Sequence, residues 1–229
     1  MFPIRDDIPH EKPPIVNYLL IIINFIFFFY ELGLGKYLNN FIYIYGVVPA
    51  RYTLFLNGLG LSSSHLIIPL FTSMFLHAGW FHILGNMWFL FVFGDNVEDK
   101  LGHFRYLVFY IICGLFASFL HIFFNLNSTV PSIGASGAIA GVLGAYMIFY
   151  PHARILTLLP IFIFFEIIEL PAIFWIGLWI LIQIFFGTLS IGSSGGGVAW
   201  WAHIGGFLAG MIYAMKFLKR EYEKRRFYF

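Results

Sequence analysis

Six apolar runs of 15 to 21 residues succeed one another along this chain, at 15–32, 73–93, 104–124, 136–150, 172–187 and 198–218. A hydrocarbon core of about 30 Å takes roughly 20 residues of helix, and fewer where the bilayer thins locally. Composition agrees, with 60% hydrophobic residues, 30 Phe and only 10% charged residues, against about 25% charged in soluble domains. No single core could hide that much apolar surface from water. The expected fold is therefore an all-α membrane protein: one six-helix bundle over 15–218, preceded by a polar segment at 1–14 and followed by a basic tail at 219–229.

Residues 33–66, long and Tyr-rich, read as an interfacial loop between the first two spans. Segment 155–170 is apolar but carries Pro160, Glu166 and Glu169 and is short for a span. As a seventh crossing it would put Ser136 and His203 on opposite faces. With six crossings, 11 of the 13 Lys and Arg share one side, and only Lys36 and Arg51 lie opposite. That bias places both termini in the cytoplasm and leaves 155–170 partly embedded or interfacial. The N-terminal segment is Pro-rich, and no small-residue cleavage site follows the first apolar run. Neither a signal peptide nor an organelle-targeting extension is expected, and the expected home is the plasma (inner) membrane of a bacterium or archaeon. The single cysteine, Cys113, excludes an intramolecular disulfide or a cysteine metal cluster.

Polar side chains are expensive at membrane depth and tend to mark function. Ser136 opens the fourth span, where free N–H groups and the helix dipole favour developing negative charge. Gly134, Gly137, Gly141 and Gly144 remove bulk around it. His203 lies a few residues inside the sixth span. Both spans begin on the outer side, so the two residues fall at similar depth and can meet. Serine with histidine is the minimum set for nucleophilic acyl chemistry, because the imidazole takes the hydroxyl proton. Packing alone accounts for the spacing of Gly206 and Gly210. A structural His203 would need a backbone carbonyl, and such partners are scarce in a membrane. His82 and Asn86 share one face of the second span and offer N–H donors for an oxyanion, whereas His77, nearer the surface, suits a structural bond. Asp95, Glu98 and Asp99 lie at the wrong end of that span, and Glu166 and Glu169 fall in 155–170. No carboxylate is placed to orient His203, so the reading is a dyad.

Gly134-x-Ser136-Gly137, Ala202-His203-x-x-Gly206-x-x-x-Gly210 and His82-x-x-x-Asn86, in that helix order, resemble the rhomboid intramembrane serine proteases. The resemblance runs from the first span to the last. It implies a rhomboid-like bundle that cleaves transmembrane segments of single-span proteins near the outer side of the bilayer. Ser136 would be the nucleophile and His203 the base and then the acid. His82, Asn86 and the Ser136 N–H would hold the oxyanion, with His77, Gly134, Gly137, Gly206 and Gly210 in structural roles. It also implies a membrane-embedded first loop and a fifth span acting as a lateral gate, made bulky by Phe174, Trp175, Trp179, Phe185 and Phe186.

Where some members carry an aromatic residue that stacks on the histidine, this chain has Ala140, which leaves Trp200 and Trp201 as candidates to hold His203. The first loop lacks a clear Trp-Arg pair, so Arg51 receives no role. The loop 125–135 and the Ser/Gly-rich stretch 188–197 would line the mouth of a water-bearing pocket. Expected partners are single-span substrates and the lipid bilayer, with the basic tail as a headgroup anchor. No nucleic acid, metal or cofactor is expected, and the oligomeric state is open. An inactive client-binding relative would be expected to have lost the serine, the histidine or the preceding glycine, all kept here. A transporter path through His77, His82 and His203 would need polar inner halves, which these spans lack. A haem or metal site would need paired histidines at i, i+4, which are missing.

Overall fold

A computed structural model describes residues 1–59, 62–161, 164–191 and 197–227. Strand β1 (Phe2–Asp6) leads into helix α1 (Ile15–Gly33). The connection that follows contains three short helices, α2 (Leu38–Tyr45), α3 (Pro49–Leu56) and α4 (Ser64–Thr72). Then come α5 (Trp80–Leu101), α6 (His103–Phe124), α7 (Ser136–Phe149), a hairpin of β2 (Arg154–Ile161) and β3 (Phe164–Pro171), α8 (Ala172–Leu189) and α9 (Trp200–Phe227).

Helices α1, α6 and α8 are each long and apolar enough to cross a membrane, and Ser64–Phe75 with α5 forms a fourth, bent candidate. Their outward faces are apolar, as at Ile26, Phe119 and Leu181, which are 61%, 64% and 61% exposed. Exposed apolar surface on that scale belongs in lipid, and the chain is a membrane protein. The 33–66 connection is mostly helical. Arg51 ties α3 to α2 by donating to the Tyr43 carbonyl at 2.6 Å and covering the Tyr43 ring.

The second apolar run is not one helix. Ser64–Phe75 and α5 meet at 78°, because Leu76 is extended and α5 starts only after Gly79. His77, expected on the second span, therefore sits in the turn before it. Its backbone N–H has no helical acceptor there and is taken by the buried Glu31 carboxylate of α1, at 3.1 and 3.3 Å from the two oxygens.

Helix α7 runs through the centre, and every residue from Gly137 to Tyr146 is buried. It meets α9 backbone to backbone. A Cβ on Gly206 would overlap the Gly137 carbonyl oxygen, and one on Gly210 the Gly141 carbonyl oxygen. Close approach of this kind replaces the hydrophobic drive that lipid removes. On another side of α7, Cys113 and Ala117 of α6 face Gly141 and Gly137.

The all-α expectation holds for the bundle, but a three-stranded antiparallel sheet, ordered β1-β2-β3, has to be added. Segment 155–170 is thus a hairpin over its described residues, with Arg154 opposite Pro171 and Ile161 opposite Phe164; residues 162 and 163 lie outside the description. The physical reason is a period of two: Ile155 and Thr157 are fully buried while their neighbours are not. Pro160 is tolerated because β1 pairs only with 155–158, so no strand needs its missing N–H on that side. The segment 1–14 is likewise partly structured, with β1 docked on α5 by the Trp88 indole N–H, which donates to the Pro3 carbonyl at 2.6 Å.

Buried polar groups lock this end of the bundle. Glu98 of α5 accepts the backbone N–H groups of Val16 and Asn17 at 2.9 and 2.7 Å, supplying acceptors that the first turn of α1 lacks. Asn17 in turn donates to the Leu90 carbonyl and accepts from the Tyr106 hydroxyl. Asp6 accepts from Asn96 at 2.7 Å and from the Tyr146 hydroxyl of α7. Burial is the main cause that pushes the Asp6 carboxyl up to about 6.

Candidate active site

The loop before α7 is fixed before the helix begins. Gly134 donates its N–H to the Ser73 carbonyl at 2.8 Å, and Ser132 pairs with Val47. Gly134 holds φ at +122°, and a Cβ there would stand 2.7 Å from His82 Nε2. Only glycine meets both conditions. Ser136 follows as the first residue of α7.

Ser136 Oγ lies 2.8 Å from His203 Nε2, joining the first turn of α7 to that of α9. The other ring nitrogen, Nδ1, lies 2.8 Å from Gln183 Oε1 on α8. The Gln183 amide is oriented by its own Nε2, which donates to the Trp179 carbonyl at 3.2 Å. His203 Nδ1–H therefore donates to Gln183, and Nε2 is left as the acceptor for the serine hydroxyl proton. A hydroxyl and a base in contact, with the base oriented by a third group, is the arrangement that nucleophilic catalysis requires.

His82 and Asn86 stand on one face of α5 beside Gly134. The Ala78 N–H donates to His82 Nδ1 at 3.3 Å, which puts the ring proton on Nε2, the atom facing Gly134. Asn86 Nδ2 donates to His77 Nε2 at 3.0 Å. That uses one of its two amide hydrogens and leaves the other available. The bond makes a chain from Glu31, through His77, to Asn86.

Ser136, His203, His82 and Asn86 all line one cavity of about 850 Å³. Residues of the 125–135 loop line it too, and so do Ser190 and Gly197; residues 192–196 of the expected mouth lie outside the description. His121 of α6 is a third imidazole at its wall, beside Asn125.

Several of these residues escaped sequence reasoning. Gln183, Glu31 and His121 are polar side chains within apolar helices, the same signal that singles out Ser136. The aromatic neighbours of His203 also differ from expectation. Trp200 approaches it edge-on at 6.3 Å, but Trp201 turns away and stacks on Phe124 at 3.6 Å. Trp179 of α8, 5.8 Å from the imidazole, supplies the broader face. On α8, Trp175 is buried, while Phe174, Phe185 and Phe186 face outward. Among the described residues, no three His, Cys, Asp or Glu side chains come together as a metal site.

A family model described as the Rhomboid domain matches residues 65–220. "RHOMBOID-like protein 1" of Arabidopsis thaliana is 35% identical over 156 residues, covering 68% of this chain and 36% of that protein. "Rhomboid protein 1, mitochondrial" of Saccharomyces cerevisiae is 29% identical over 168 residues, covering 69% and 44%. "Presenilin-associated rhomboid-like protein, mitochondrial" of Homo sapiens is 32% identical over 106 residues, covering 45% and 28%. The matched region is less than half the length of each of these relatives.

Proposed function

This chain belongs to the rhomboid family, and on that premise we propose that it is an intramembrane serine endopeptidase acting on transmembrane segments of single-span proteins. The observation that carries the reading is the Ser136 Oγ to His203 Nε2 contact at 2.8 Å, with Nδ1 held by Gln183. His203 takes the hydroxyl proton as Ser136 attacks the scissile carbonyl, and the imidazolium then gives that proton to the leaving amine. His82 Nε2–H, the free Asn86 N–H and the Ser136 backbone N–H stabilise the oxyanion. Water in the cavity hydrolyses the acyl-enzyme, with His203 again as base.

Depth supports cleavage inside the bilayer. With 14 residues, α7 is about 21 Å long, short of a core of about 30 Å. Its C-terminal end lies by Asp6, Asn96 and Arg154, at a polar boundary. Ser136 then stops roughly 9 Å below the opposite boundary. In this reading α1, α5, α6, α7, α8 and α9 are six crossings, both termini are cytoplasmic, and the cut falls in the outer part of the substrate span. The plasma membrane remains the proposed home; two of the relatives above carry the word mitochondrial in their names. Helix α8 is the proposed gate, since its outward Phe face would let it move in lipid without exposing polar groups.

Reconstitution in liposomes with a single-span test protein checks the proposal. Wild type is expected to release a fragment whose new terminus, located by mass spectrometry, lies within the outer part of the span. Ser136→Ala and His203→Ala are expected to release none. A fragment of the same mass from Ser136→Ala would overturn the reading.

A further inference from the structure

At the end of the bundle away from Ser136, α9 runs past the first turn of α6. Tyr213, Lys216, Phe217, Arg220 and Lys224 share one face of α9, Arg105 of α6 closes the other side of a cavity of about 330 Å³, and the Glu221 carboxylate lines it as well. Lys224 is 4.0 Å from Glu221. Among the described residues, Arg105, Lys216 and Arg220 have no carboxylate within ion-pairing distance. Lys216 and Arg220 are four apart on one helix, where like charges repel. The floor is apolar: the Tyr213 ring packs on Phe109 and Phe217 on Phe149.

We infer that this cleft binds the phosphate of one anionic phospholipid, held between Arg105 on α6 and Lys216 and Arg220 on α9. Arg105, Lys216 and Arg220 are exposed side chains that line one pocket between helix ends, and cations converging on a pocket suit a single headgroup. The acyl chains have a place beside it. Leu208 and Ile212, both 48% exposed, precede Lys216 at steps of four residues on the same stripe. The lipid thus lies along α9 with its phosphate in the cleft. This differs from a general attraction of the tail to a charged membrane, because it predicts one bound lipid and a definite set of side chains. It is also independent of the proposed proteolysis.

Native mass spectrometry of the detergent-solubilised full chain, titrated with phosphatidylglycerol, tests it. Wild type is expected to retain one lipid and to gain several degrees in Tm on binding. Arg105→Gln with Lys216→Gln is expected to bind at least tenfold more weakly and to lose that gain. Lys100→Gln with Lys219→Gln removes two charges at the same end outside the cleft and is expected to bind like wild type. Equal loss in both double variants would reduce the cleft to surface charge and overturn the inference. Displacement of the lipid by inorganic phosphate at equal concentration would overturn it in favour of a free phosphate compound. A cleft variant that fails to melt cooperatively without lipid is replaced by Arg220→Gln alone, for which retention of the bound lipid at wild-type affinity counts against the site.

Discussion

The orientation of His203 turns on Gln183. A carboxylate at that place would also stabilise an imidazolium, whereas a neutral amide supplies only tautomer and direction. Gln183→Ala removes one hydrogen bond, about 0.5–1.5 kcal/mol. In a cleavage assay it is expected to lower kcat by about tenfold with KM unchanged, and Gln183→Glu, which keeps the acceptor, is expected to restore most of it. An unchanged kcat in the alanine variant would mean that Trp179 and Trp200 hold the ring unaided. Gly134→Ala acts on the oxyanion side, since its Cβ would stand 2.7 Å from His82 Nε2 at a φ of +122°. The same assay is expected to show kcat reduced by more than tenfold, with a small fall in Tm. Ser136 and His203 were legible in the sequence because apolar surroundings isolate a polar side chain. Gln183 stood out equally, but a reading that looks for a carboxylate partner passes over an amide. Glu31 was hidden for another reason: its partner, the His77 N–H, is free only because the chain breaks before α5.

At the scale of elements, the helices follow from apolar length, and five of the six apolar runs begin within two residues of a helix start. The sheet does not follow. Its first strand comes from the N-terminus and its second begins at Arg154, and no local pattern links them. An isolated apolar hairpin reads as well as an embedded segment. Where α7 meets α9, Gly206→Ala is expected to lower Tm clearly, because overpacking a tight contact costs about 1–3 kcal/mol; a thermal melt in detergent measures it. Strand β1 adds a pH dependence. The Asp6 carboxyl is raised to about 6, first by burial, with Asp95 and Asp7 adding repulsion. As pH rises the unfolded chain gives up this proton before the folded one does. The contribution to stability is therefore fully present below about pH 4 and is lost as pH passes about 6. Melts between those values are expected to show the Tm of wild type falling relative to that of Asp6→Asn as pH rises, and a difference that stays constant with pH would contradict it.

Over the whole molecule, the Ser136 pocket and the basic cleft of α6 and α9 lie at opposite ends of one bundle. With Cys113→Ala as background, a membrane-impermeant maleimide is expected to label Thr129→Cys from one side only and Lys224→Cys from the other. Labelling of both from one side would contradict six crossings. The helical membrane bundle could be read from hydropathy because lipid imposes apolar length on any chain that spans it; the cavity could not, since it arises where α5, α6, α7 and α9 meet. That cavity matters to function only if the serine inside it is activated. Covalent capture by a fluorophosphonate in the detergent-solubilised protein, with the adduct located by peptide mapping, tests this most directly. Wild type is expected to carry the adduct on Ser136, with none in Ser136→Ala and little in His203→Ala. An adduct that persists in Ser136→Ala, or that forms equally well in His203→Ala, would contradict the proposed dyad.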